Sequence, residues 1–204
     1  ILFLCSPNNP TANDLRQMDL LKLIEFFPGI VVVDEAYIDF SGRESLAPLV
    51  QQYPNLVVLQ TFSKAFGLAG IRLGVAVSTP EIISWLLKVK SPYNINKLTA
   101  RVALEAFTHM DLIRHNIRKI REERERISRQ LEQMAGVEKV FPSHANFILF
   151  RIGKAEEIYR QLAERGIIVR YRGNEPGCEG CLRVTVGMPD ENDRFIKTLK
   201  ELLT

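Results

Sequence analysis

Cysteine is scarce in this chain, three in 204 residues, and two of them stand close together as Cys178 and Cys181 in "CEGC". A zinc ribbon needs a second such pair, and the chain has none. A thioredoxin-like redox pair opens a helix after a strand, whereas here a glycine-rich loop leads into the strand-like "CLRVTV". The expectation is two reduced loop thiols in a cytosolic protein, with Cys5, set in an apolar run, packed as a small core residue. No apolar run approaches the roughly 20 residues that a membrane-crossing helix needs, and no leader signature opens the chain. The cytoplasm is therefore the expected compartment. Neither sign of charge dominates: 27 basic side chains stand against 24 acidic ones, with a net charge of +3 and no concentrated basic patch. That balance argues against a nucleic-acid partner. Internal repeats and low-complexity stretches are missing too. "GLAGIRLG" has the glycines of a dinucleotide loop but not the G-x-G-x-x-G spacing.

What is present is an ordinary globular balance, 46% apolar and 25% charged, in a length that suits one large core or one large and one small domain. Short apolar runs rich in branched residues predict strands near 1 to 5, 30 to 34, 56 to 61 and 73 to 77, alternating with helical patterns near 14 to 27 and 80 to 90. Such alternation implies an α/β fold with a largely parallel sheet flanked by helices. "SPYNINKLTARVALEAF" and the charged "RHNIRKIREERERISRQLEQ" at 114 to 133 follow as helices with no strand between them. In the charged run, Ile117, Ile120, Ile127 and Leu131 recur at helical spacing, so it reads as a long solvated helix. From about 137 the pattern changes to short strands, "VEKVF", "NFILFRI", "IIVRY" and "CLRVTVG", with helices near 154 to 165 and 190 to 203. This predicts a large-domain portion over 1–110, a long connecting helix over 111–136 and a smaller C-terminal α+β domain over 137–204. The loop "RGNEPGCEG" should be exposed. A buried strand at the first residue, without methionine, suggests that an N-terminal portion precedes this sequence.

Polar residues gather where the predicted strands end: Asn9 in "SPNNPTA", Asp34 and Tyr37 in "DEAY", and Thr61, Ser63, Lys64 and Arg72 in "TFSKAFGLAGIR". Ligands of open parallel sheets sit outside the carboxyl ends of the strands. Singly, each residue has a structural explanation: asparagine beside proline makes turns, Asp-Glu after a strand caps helices, and a lysine is solvated. Together they suit one ligand, an aromatic aldehyde cofactor with a ring nitrogen and a phosphate. Such a group needs a lysine amine to bond the aldehyde and a carboxylate to keep the ring nitrogen protonated. It also needs neutral donors at the ring hydroxyl, and hydroxyls with a guanidinium for the phosphate.

The ordered set "SPNNPTA", "DEAY" and "SKAFGLAGIR" resembles the fold-type I pyridoxal-phosphate aminotransferases, and within them the histidinol-phosphate aminotransferases. The likeness runs the length of the chain, through "PYNINKLTA", "HANFILFR", "GIIVRYRG" and "GCLRVTVG". It implies pyridoxal 5'-phosphate as cofactor and a cytoplasmic homodimer. It implies small-molecule substrates, with transamination between histidinol phosphate and 2-oxoglutarate in histidine biosynthesis. Lys64 would bond the cofactor and shuttle a proton, Asp34 would pair with the ring nitrogen, and Asn9 and Tyr37 would bond the phenolic oxygen. Thr61, Ser63 and Arg72 would hold the phosphate. Arg183 matches the arginine for the substrate α-carboxylate, and Arg170 the one for the substrate phosphate, with Arg172 two residues on. Two other functions fit the same scaffold, a threonine-phosphate-type decarboxylase and a non-catalytic sensor domain. Ala12 stands where the family has glycine, which predicts a somewhat different turn, since glycine tolerates φ > 0 and alanine does not. The family's main phosphate cradle, its ring-stacking aromatic residue and a residue lent by the second subunit would all precede Ile1.

Overall fold

The computed structural model describes residues 1–203, and the chain forms two compact units. The first comprises Ile1–Pro7 and Asp14–Ile117; the second comprises Asn8–Asn13 and the residues from Arg118 onward.

In the first unit, strands β1 (Leu2–Cys5), β2 (Val31–Asp34), β3 (Leu56–Thr61) and β4 (Gly74–Val77) form one sheet in that order. The pairs β1–β2 and β2–β3 are parallel, and β4 runs antiparallel to β3. The sheet is thus largely parallel, as its branched apolar runs predict, with one antiparallel edge strand. Strands buried on both faces lose the polar alternation of a half-exposed strand. Val31, Val33, Leu56 and Val58 pack on one face against Leu20 and Ile24 of α1 (Gln17–Phe26), and Val32 and Val57 pack on the other against Ile82 of α2 (Pro80–Val89). Helix α3 (Lys97–Thr108) begins at Asn96, whose side chain accepts from the Thr99 N–H at 2.8 Å, a standard N-terminal cap.

Helix α4 (Met110–Glu132) matches the charged run. Its Ile127 and Leu131 are fully buried in the core of the second unit. There β5 (Val137–Val140), β6 (Phe147–Ile152), β8 (Cys181–Thr185) and β7 (Arg170–Tyr171) form an antiparallel sheet in the order β5-β6-β8-β7. Helices α5 (Ala155–Glu164) and α6 (Pro189–Leu203) complete the unit, with Ile158, Leu162, Phe195 and Leu199 in the same core as Ile148 and Phe150.

Three expectations need correction. Cys5 is exposed rather than packed in a core, because side chains of β1 alternate and Cys5 falls on the open face. Cys178 lies in a largely exposed loop yet is buried with Cys181 against Leu149 and Phe141, where burial pushes both thiols above their ordinary range. The run "IIVRY" contributes strand only at Arg170–Tyr171.

Candidate active site

The end of β2 carries the first cluster. Asp34 is the last strand residue, and its Oδ1 accepts from the Ala36 N–H at 2.9 Å, a bond that turns the chain sharply and sets the orientation of the carboxyl group. Tyr37 follows within that turn and is buried. The ammonium of Lys64 lies 5.1 Å from the centre of the Tyr37 ring, so the amine and the phenol from two different strand ends share one place.

Beyond β3 the chain forms a hairpin-like loop before returning in β4. Thr61 pairs with Gly74, and the Phe62 N–H donates to the Leu73 carbonyl at 3.2 Å. The Thr61 hydroxyl donates to the same carbonyl at 3.3 Å and accepts from the Ser63 N–H at 3.1 Å. Gly67 N–H closes a turn onto the Lys64 carbonyl at 3.0 Å, using φ +67, a conformation natural to glycine. Thr61 therefore braces the loop from which Ser63 and Lys64 rise. Arg72 holds left-handed backbone, φ +54, at a cost of about 1–2 kcal/mol for an L-residue, and its Nη1 donates to the Ala69 carbonyl at 3.0 Å. The guanidinium is exposed and folds over its own loop. Strain of this kind at a charged loop residue persists only where the surroundings hold it.

Asn9, Arg170 and Arg183 belong to the second unit. Arg183 on β8 donates through Nη1 to the side-chain amide oxygen Oδ1 of Asn9 and lies over the Phe147 ring with its guanidinium carbon 4.8 Å from the ring centre. Across the β7–β8 ladder Arg170 stands directly opposite Arg183. Arg172 instead closes the following loop, with Nη1 2.7 Å from Glu175 Oε1. Ala12 adopts φ +59 and is fully buried, so the turn keeps the left-handed geometry expected of glycine. It is held there by its N–H to the Asn8 carbonyl and by its carbonyl, which accepts from the His144 N–H, both at 2.8 Å.

Sequence reasoning passed over a buried polar network beneath Asp34. Glu35 has no exposed side-chain surface and is paired with Arg43, whose Nη1 lies 3.1 Å from its Oε1. The only sequence signal was an acidic residue directly after the strand, which reads equally well as a helix cap. Among the described residues no group of His, Cys, Asp and Glu suits a metal ion, and no helix is long and apolar enough to cross a membrane.

Residues 1–199 match the protein-family model described as aminotransferase class I and II. A histidinol-phosphate aminotransferase of Flavobacterium johnsoniae is 50% identical over 202 residues, covering 99% of this chain and 58% of that protein. The chain thus spans under three fifths of the length of that relative. The crystal structure of histidinol-phosphate aminotransferase from Sinorhizobium meliloti in complex with pyridoxal-5'-phosphate superposes with a TM-score of 0.89 at 28% identity, over 98% of this chain and 56% of that one. L-threonine-O-3-phosphate decarboxylase from Porphyromonas gingivalis superposes with a TM-score of 0.88 at 29% identity, over 98% and 63%.

Proposed function

We propose, for a chain that belongs to the class I and II aminotransferase family, that the complete enzyme moves an amino group between histidinol phosphate and 2-oxoglutarate. The products are imidazole-acetol phosphate and glutamate, and the reaction serves histidine biosynthesis. The cofactor is pyridoxal 5'-phosphate. The donor set of the first unit suits that group in kind: an oriented carboxylate, a buried phenol, an amine close to that phenol, a serine hydroxyl and a guanidinium on one braced loop.

When bound, the cofactor supplies an electron sink for the bond broken at the amine-bearing carbon of the substrate. Lys64 would hold it through its amine, and its Nζ would move a proton between that carbon and the aldehyde carbon of the cofactor. Asp34 would keep the ring nitrogen protonated, Tyr37 and Asn9 would bond the phenolic oxygen, and Ser63, Thr61 and Arg72 would secure the phosphate. The Thr61 hydroxyl already serves the Leu73 carbonyl, so its share in phosphate binding would be the smallest of the three. Arg183 would take the α-carboxylate of glutamate and Arg170 the phosphate of histidinol phosphate.

The observation that carries the choice of substrate is the placement of Arg170 opposite Arg183 on one sheet face. Two cations directly across a ladder repel each other, and an anion bound at either one relieves that repulsion. Arg172 is already paired with Glu175, which leaves Arg170 the better phosphate ligand. A cytoplasmic homodimer fits the family and the apolar side chains left exposed on α2 and α3, among them Trp85, Leu98 and Leu104.

The complete enzyme, supplied with histidinol phosphate and 2-oxoglutarate, should form glutamate and a keto product in equal amounts. Carbon dioxide released from threonine phosphate, with no keto product from histidinol phosphate, would assign the chain to the decarboxylases instead.

A further inference from the structure

We propose that Glu35 is a positioning residue, which holds the ends of β1, β2 and β3 in the arrangement that the cofactor-binding side chains require. This rests on the reading of the site given above. The carboxyl group has 0% exposed side-chain surface, and a charge so placed costs several kcal/mol unless fully partnered. Its partners come from separate parts of the chain. Oε1 accepts from Arg43 Nη1 at 3.1 Å and from the Leu46 N–H at 2.9 Å. Oε2 accepts from the Ser45 hydroxyl at 2.5 Å and from Gln60 Nε2 at 3.2 Å.

The second half of the network runs through Arg43, itself only 8% exposed at the side chain. Its Nε lies 3.3 Å from Asp14 Oδ1, and its Nη2 donates to the Ser6 carbonyl at 3.1 Å. The Ser6 N–H in turn donates to the Asp34 carbonyl at 3.0 Å, and the Ser6 hydroxyl donates to Asp14.

The anchoring points decide what this network does. Glu35 directly follows Asp34, Gln60 directly precedes Thr61, and Ser6 directly follows the last residue of β1. Each parallel strand is therefore gripped within one residue of its functional end. An ion pair buried this deeply is a weak source of stability, because apolar residues of the same volume commonly serve as well or better. Directional bonds do what apolar contacts do not: they set the distance and angle between strand ends. A carboxylate and an amine that must meet one ring need that control to within about half an ångström.

The test compares the complete enzyme with three variants, E35Q, the double variant E35M/R43L and Q60L, by thermal unfolding, cofactor dissociation constant and steady-state kinetics. E35Q should be less stable and bind pyridoxal phosphate more weakly. The double variant removes both charges of the central pair but takes the Arg43 partner from Asp14, so it should remain less stable than wild type. Its cofactor dissociation constant should be about tenfold or more above wild type, and kcat should fall while KM for the amino donor moves little. Q60L, which cuts only the link to β3, should fold normally and weaken cofactor binding. Wild-type cofactor affinity and kcat in a stable double variant, or in Q60L should the double variant not fold, would show the network to be structural only. A wild-type enzyme that binds no pyridoxal phosphate would overturn the reading of the site as well, a result distinct from unaltered variants.

Discussion

Replacing Arg183 with glutamine separates the two halves of the proposed reaction. Arg183 stacks on Phe147 at 4.8 Å and bonds Asn9 through Nη1. Losing the stack costs about 0.5–1 kcal/mol, and losing a charged hydrogen bond costs about 1.5–3 kcal/mol. Relief of the repulsion with Arg170 across the ladder returns about 0.2–1 kcal/mol. The net loss of stability is then on the order of 1–4 kcal/mol, and the chain should still fold. With one edge of the guanidinium engaged by Asn9, a bound carboxylate would gain one or two charge-assisted bonds, about 2–4 kcal/mol in all. At 1.4 kcal/mol per decade, the efficiency with glutamate should fall roughly 30- to 700-fold. Histidinol phosphate has no carboxylate, so its half-reaction should fall less than about tenfold. Single-turnover absorbance measurements of each half-reaction in the complete enzyme read the two numbers separately. Equal losses in both directions would refute the assignment of Arg183 to the carboxylate.

Further outcomes follow from the same geometry. Lys64→Ala should abolish the visible band that borohydride traps on the protein; a band that persists would mean that another lysine bonds the cofactor. Asp34→Asn should leave cofactor bound but slow proton removal by orders of magnitude, since an unprotonated ring is a poorer electron sink, and unchanged turnover would contradict the role. In the second unit, hydrogen bonding from Arg126 at 2.7 Å, followed by that from Asn192, holds the Glu123 carboxyl below its ordinary pKa of 4.5. A depressed carboxyl contributes stability that is present above its unfolded pKa and is lost as pH falls through the folded one. Glu123→Gln should therefore cost about 0.5–1 kcal/mol near neutrality and nothing once the carboxyl is protonated, as urea titrations on both sides of pH 4.5 would show.

Much of the candidate site was legible before any coordinates, because its residues sit at the ends of strongly patterned strands. "IVVVDEAY" announces a two-sided buried strand and its terminal acid in eight letters, and the structure places Asp34 at that terminus. The backbone fate of Ala12 was harder to read. Alanine argues against left-handed backbone, yet two hydrogen bonds from residues on either side of the chain hold it there. Arg170 and Arg172 could not be separated by pattern alone, since both sit on one face of an extended run. In the fold they differ in their neighbours, Arg170 standing opposite Arg183 and Arg172 pairing with Glu175.

The primary structure by itself determined which segments become strands and helices, and which chemical groups stand at their ends, because hydrophobic period and turn chemistry act over a few neighbouring residues. Only the tertiary structure decided which of those groups meet. Lys64 reaches Tyr37, Arg170 faces Arg183, and Glu35 gathers Arg43, Ser45 and Gln60 through the packing of strands whose sequence separation carries no local signal. A buried charge has to find its partners wherever the fold brings them, and for Glu35 these include Gln60 on the neighbouring strand, beyond the reach of local pattern.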